Sequence, residues 1–133
     1  MEHAIRLFRK QLFDTFYGWL ERNKDAIGDK EYSDLFSRAK KAENTADNAI
    51  GIMAVALWMF NMAANCGVTA GVGPDGYNLQ CLENPKLDEA STKKLLTTIV
   101  ACMNLQYLPA EIAKQQIPII SSKKFSLKLW TQK

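Results

Sequence analysis

The stretch Asn48–Gly67, NAIGIMAVALWMFNMAANCG, decides the fold of this chain. It contains no charged residue, and the charge-free run continues to Pro74. Two arrangements suit such a run: a membrane span, which needs about 20 mostly apolar residues, or a helix buried all round inside a bundle. Much of the run is alanine, which contributes little to insertion. Ile50, Ile52, Val55, Leu57 and Phe60 contribute only about 0.3–0.6 kcal/mol each, and Asn61 and Asn65 oppose them. The expectation is therefore a buried central helix, with membrane association through residues 49–66 as the alternative. In that alternative the preceding Arg38, Lys40 and Lys41 would hold the N-terminal side in the cytoplasm, and Asn61 and Asn65 would hydrogen-bond between helices. In a bundle the two asparagines mark the polar end of the helix, and Gly67 supplies its C-terminal cap.

Upstream, the spacing of Ile5, Phe8, Leu12, Phe16, Trp19 and Leu20 predicts one amphipathic helix over His3–Asn23. Gly28 marks a turn, and Asp29 is placed to N-cap the next helix. A second seam then runs through Tyr32, Leu35, Ala39, Ala42, Ala46, Ala49, Met53, Leu57 and Phe60 with no proline to interrupt it. It predicts one long helix, or two nearly coaxial ones, entering the core near Asn48 and leaving near Gly67. Its alanines allow close approach of a neighbouring helix, within the chain or in a homo-oligomer.

Downstream, residues 67–82 change character. Val68, Ala70 and Val72 alternate before Pro74-Asp75-Gly76, and Tyr77, Leu79 and Cys81 alternate after it, which predicts a small antiparallel hairpin. Asp88–Leu105 returns to helical spacing, with Asp88 or Ser91 as N-cap and Leu95, Leu96, Ile99, Val100, Cys102 and Met103 facing the core. Pro109 suits the first position of a short helix through Gln116. The alternating tail from Lys123 to Trp130 suits a further strand. The fold class is thus mainly α (α+β): one domain over residues 1–133, a small helical bundle around a central apolar helix with a small hairpin or sheet.

Composition agrees with an ordinary globular domain: 133 residues, 47% hydrophobic, 23% charged, net charge +3. Cys66, Cys81 and Cys102 are odd in number and widely spaced, which fits buried thiols in a reducing compartment better than a disulfide framework. The first residues run directly into the amphipathic pattern, with no apolar leader of the secretory kind. A cytoplasmic address is the expectation.

Motifs for chemistry are few. Gly71, Gly73 and Gly76 fit G-x-G-x-x-G, but that fingerprint binds a dinucleotide only between a strand and a helix, and here a proline-led turn follows. Turn glycines are the simpler account. His3 is the only histidine, so neither a Cys–His nucleophile pair nor a tetrahedral zinc site has supporting spacing. Glu31, Asp34, Asp88 and Glu89 fall in helix first turns, where negative charge favours the dipole. No catalytic residue, metal ligand or cofactor is expected.

Two clusters stand out instead. On the first helix Arg6, Lys10, Phe13 and Tyr17 form a stripe beside the core face, with Arg9 at its margin. In the tail, Lys123, Lys124 and Lys128 surround Trp130, and after Glu111 the chain carries five lysines and no acid. Cations interleaved with aromatic rings can seat an acidic protein surface or stack a base. The same residues can equally be snorkelling stems and edge-strand lysines. The functional expectation is a small non-catalytic intracellular binding protein, an accessory subunit, inhibitor or adaptor working by protein–protein contact. A basic nucleic-acid-binding protein is the alternative.

Overall fold

In the computed structural model, residues 3–69, 71–73, 76–78 and 82–104 are described. Five helices organise them: α1 (His3–Arg22), α2 (Lys24–Ile27), α3 (Asp29–Glu43), α4 (Ala49–Asn65) and α5 (Glu89–Asn104). The chain is mainly helical, as its apolar spacing predicts.

The central element is α1 and not the apolar α4. Leu12, Phe13, Phe16, Trp19 and Leu20 are all buried, and this wide arc lets α1 pack against α2, α3, α4 and α5 together. Each such side chain contributes about 1.5–3 kcal/mol on full burial. Helix α4 buries one face, Ile52, Met53, Ala56, Met59, Phe60 and Ala63, while Ile50 remains 53% exposed. It is therefore not buried all round, and no described helix is long and apolar enough to cross a membrane.

The seam expected to form one helix, or two coaxial ones, instead reverses direction at residues 44–48. Tyr32 meets Glu21, and Tyr17 meets Phe36 and Glu43, so α3 runs antiparallel to α1. Arg9 reaches Ala46, Phe16 meets Trp58, and Cys66 shares a cleft with Ala26 and Ile27, so α4 runs parallel to α1. Asn48 makes the new start. Its backbone is extended (φ −148°, ψ 172°) and its side-chain oxygen accepts the Gly51 N–H at 2.9 Å, satisfying one orphan donor. Alanines on either side of the break continue the helical spacing and conceal it.

At the other end of α4 the expected glycine cap forms. Val68 N–H donates to Ala63 O at 3.1 Å and Gly67 N–H to Ala64 O at 3.0 Å, a Schellman arrangement. Gly67 has φ 101°, and a Cβ there would lie 2.6 Å from Asn84 Cβ. Asp88 likewise caps α5 as expected, its Oδ2 accepting the Ser91 N–H at 2.7 Å. Asp29 does not cap α3: Gly28, at φ 99°, takes that position, and Asp29 lies inside the first turn. The short α2 fills the expected turn and leaves only one residue that can reverse the chain, which favours glycine.

The expected small sheet is not supported as a layer of the fold. Pairing among the described residues is limited to a three-residue antiparallel ladder, 71–73 against 76–78, and a lone bridge between Val68 and Leu82. Gly71, Gly73 and Gly76 occupy half of its six positions, and glycine in a two-stranded ladder gives it little packing of its own. The helix expected at 109–116 and the strand at 123–130 lie outside the described residues.

Candidate functional site

The stripe on α1 divides once α3 is laid beside it. Phe13 is buried, 1% exposed. It belongs to the core and cannot act as an exposed anchor. Arg9 lies with its guanidinium carbon 5.5 Å from the Phe13 ring centre and turns its donors toward the end of α3. Its Nε donates to Ala46 O at 2.8 Å, and Nη2 donates to Glu43 O. Carbonyls at a helix C-terminus have no intrahelical donors and carry the negative end of the dipole, so a guanidinium fork satisfies both demands. Arg9 is in this way tied to the fold.

Tyr17 is half-buried at the α1–α3 seam, and its hydroxyl donates to Glu43 Oε1 at 2.8 Å. Burial, then the Glu43 carboxylate, raise its pKa well above the ordinary phenol value. Its ring lies 5.2 Å from that of Phe36, which is 37% exposed, and the Phe36 ring lies 6.1 Å from Tyr32. Lys40 Nζ sits over two of these rings, 4.6 Å from the Tyr17 centre and 5.4 Å from Phe36. Lys24 covers Tyr32 at 4.9 Å, and the Tyr32 hydroxyl donates to Glu21 Oε2 at 2.6 Å. The result is a partly exposed row of three rings edged by two lysines and two glutamates.

Arg6 and Lys10 stand exposed on α1 toward its N-terminus. Lys10 pairs with Asp14 at 2.6 Å across one helical turn, and this hydrogen bond raises its pKa. Leu7, between them in sequence, is 49% exposed. Of the residues singled out from sequence, Arg6, Lys10 and Tyr17 thus retain solvent-facing atoms, while Arg9 and Phe13 hold helices together. Lys123, Lys124, Lys128 and Trp130 lie outside the described residues. The sequence expectation places Tyr32 in the core seam and does not include Phe36 or Lys40 among the site residues, although the four-residue spacing of Tyr32, Phe36 and Lys40 beside Leu35 and Ala39 is legible as a stripe.

A cleft of about 480 Å³ opens elsewhere, lined by Ala26, Ile27, Glu31, Asn65, Cys66 and Asn84. Burial, with the Glu31 carboxylate adding to it, pushes the Cys66 thiol up to about 11. A thiol held neutral at neutral pH is a poor nucleophile and a poor metal ligand. Asn84 Nδ2 donates to Cys66 O at 3.3 Å, and its Oδ1 accepts the Lys86 N–H at 3.0 Å, so its amide serves the loop. Among the described residues no group of three or more His, Cys, Asp or Glu side chains could hold a metal ion. Compared with family models, curated proteins and solved structures, the chain matches none.

Proposed function

We propose that this protein is a small non-catalytic intracellular binding protein, an accessory subunit, inhibitor or adaptor, that docks another protein on the α1–α3 face. The observation that carries the reading is the Tyr17–Phe36 ring pair, 5.2 Å apart, with Lys40 over both rings. Aromatic side chains contribute large contact area for little loss of rotamer freedom, and neighbouring cations orient an approaching acidic surface. Arg6 and Lys10 extend the face along α1.

The mixed charge of the face favours a protein partner over nucleic acid. Lys10 is matched by Asp14, and Lys40 lies 3.8 Å from Glu43. A phosphate backbone calls for an unmatched basic stripe. The test compares partners recovered from the native host with the wild-type chain and with Arg6→Glu, Lys10→Glu and Phe36→Ala. Loss of the same partner in all three, with unchanged thermal unfolding, supports the reading. Retention of every partner overturns it. Binding to generic DNA or RNA that weakens steeply with salt would favour the nucleic-acid alternative.

A further inference from the structure

A second cleft, of about 100 Å³, lies in the groove between α1 and the beginning of α5 and is lined by Thr15, Gly18, Trp19 and Arg22 from one helix and Ser91 and Lys94 from the other. It opens on a different flank of α1 from the Tyr17 ring, because successive side chains of a helix diverge by about 100°. Gly18 is exposed in the middle of a 20-residue helix, and a Cβ built on it meets nothing within 4 Å. Packing does not call for the glycine, which costs a helix interior about 1 kcal/mol relative to alanine. What its missing side chain does is leave bare backbone in the cleft, as where a main chain must let a ligand approach closely.

The cations of the cleft are unmatched. Arg22 and Lys94 are exposed, and among the described residues neither forms an ion pair or donates a side-chain hydrogen bond. Thr15 is half-buried, and its hydroxyl has no hydrogen-bond partner among those residues. The neighbouring acids are engaged. Asp14, which also lines the cleft, pairs with Lys10 at 2.6 Å, and Asp88, which feels the Arg22 charge, accepts the Ser91 N–H at 2.7 Å. Ser91 Oγ accepts from Asn23 Nδ2 at 3.2 Å and donates to Asp88 O at 3.3 Å, so it holds the wall in place.

We propose that this cleft binds a phosphoryl group, as free phosphate or as the head of a small phosphomonoester. Such a group carries a charge of about −1.5 to −2 at pH 7 and three acceptor oxygens. Arg22 presents a planar fork to two oxygens, Lys94 a point charge from the facing helix, and Thr15 a hydroxyl donor. The start of α5 adds the positive end of its dipole. A carboxylate, with a single charge, would leave one of the two cations unmatched. The volume suits the small group, since it equals the share of about three waters.

The test titrates inorganic phosphate, glycerol phosphate and acetate into the isotope-labelled full chain at constant ionic strength and about pH 7.5, where phosphate is mostly dianionic, and follows backbone amide shifts by NMR. Saturable shifts centred on Gly18 and Ser91 are expected with phosphate. Binding of glycerol phosphate as well assigns the head of an ester, and binding of phosphate alone assigns the free ion. No saturable shift with either up to about 20 mM, or acetate bound as tightly, overturns the proposal. Arg22→Gln, Lys94→Gln and Gly18→Leu should each weaken the affinity at least about tenfold. Lys93→Gln, which removes the same charge from the same helix outside the cleft, should leave it unchanged. Gly18→Leu should unfold at or above the wild-type temperature, because leucine is the better helix former, so its loss of binding reports a filled cleft. Equal weakening by Lys93→Gln and Lys94→Gln, or full affinity in Gly18→Leu, overturns the proposal.

Discussion

The side-chain oxygen of Asn23 accepts the backbone N–H of Asp88 at 2.6 Å, across 65 positions of sequence. Asn23 is 2% exposed, and its Nδ2 donates to Trp19 O at 2.8 Å and to Ser91 Oγ at 3.2 Å. One amide thereby ties the end of α1 to the start of α5. Beside it, Trp19 Nε1 donates to Thr92 Oγ1 at 3.0 Å, and Thr92 donates onward to Asp88 O at 2.7 Å. Replacing Asn23 by Ala leaves the Asp88 N–H without its acceptor, at a cost of about 1–3 kcal/mol. Urea unfolding should show that loss with an unchanged slope. A loss below about 0.5 kcal/mol would mean that water replaces the amide at no cost and would count against the network as a fastening point.

Two glycines give a contrast. Gly67 has φ 101° and its added Cβ would meet Asn84 at 2.6 Å, whereas a Cβ on Gly18, in mid-α1, meets nothing within 4 Å. Gly67→Ala should destabilise by about 2 kcal/mol or more, combining left-handed strain with the displacement of Asn84. Gly18→Ala should stabilise by up to about 1 kcal/mol through helix propensity. Thermal unfolding of the two variants should therefore shift in opposite directions. A shared sign would refute the assignment of either the cap or the open helix face.

Arg9 and Lys10 are neighbours in sequence with different expected consequences. Arg9→Met keeps much of the packing against Phe13 but removes donors from Glu43 O and Ala46 O, and should cost about 1–3 kcal/mol. Arg9→Lys should recover little of it, because one ammonium cannot reproduce the planar fork. Lys10→Met removes an exposed pair with Asp14 and should leave the thermal unfolding midpoint unchanged. Equal effects at the two positions would show that the stripe acts as one surface rather than as a fastening and a free flank.

These assignments also show how far sequence reading reaches. The buried arc of α1, the cap at Gly67 and the cap at Asp88 follow from spacing within a single element, which is local information. The reversal at residues 44–48 was hidden because Ala42, Ala46 and Ala49 keep a helical interval across it, and only the Asn48 side chain signals a fresh start. The burial of Phe13 and the capping role of Arg9 arise when α3 lies against α1. Nothing in the local pattern states that pairing. The Lys40 contact with Tyr17 and Phe36 needs the same long-range step, so the candidate face was only half legible: its α1 residues stood out, and its α3 residues did not.

Stability should fall at both ends of the pH range. The Ser91 backbone and side chain hold the Asp88 carboxyl below its ordinary value. A depressed carboxylate contributes stability above its unfolded pKa and loses it as pH falls through the folded one, so α5 should loosen from about pH 4 downward. At the alkaline end, burial pushes the Cys102 thiol up to about 12 and the Cys66 thiol up to about 11. The hydrogen bond to Glu21 raises Tyr32 as well. Above about pH 9 the unfolded thiols ionise while the folded ones keep their protons. The native state then binds more protons than the unfolded one, and stability declines as pH rises, by at most about 1.4 kcal/mol per pH unit for each of the two thiols. Urea unfolding followed from pH 7 to 11 should show this decline, and Cys102→Ala should make it shallower whatever the variant does to stability at pH 7. An identical slope in that variant would mean that the Cys102 thiol titrates alike in both states and is not held in the apolar site beside Phe8.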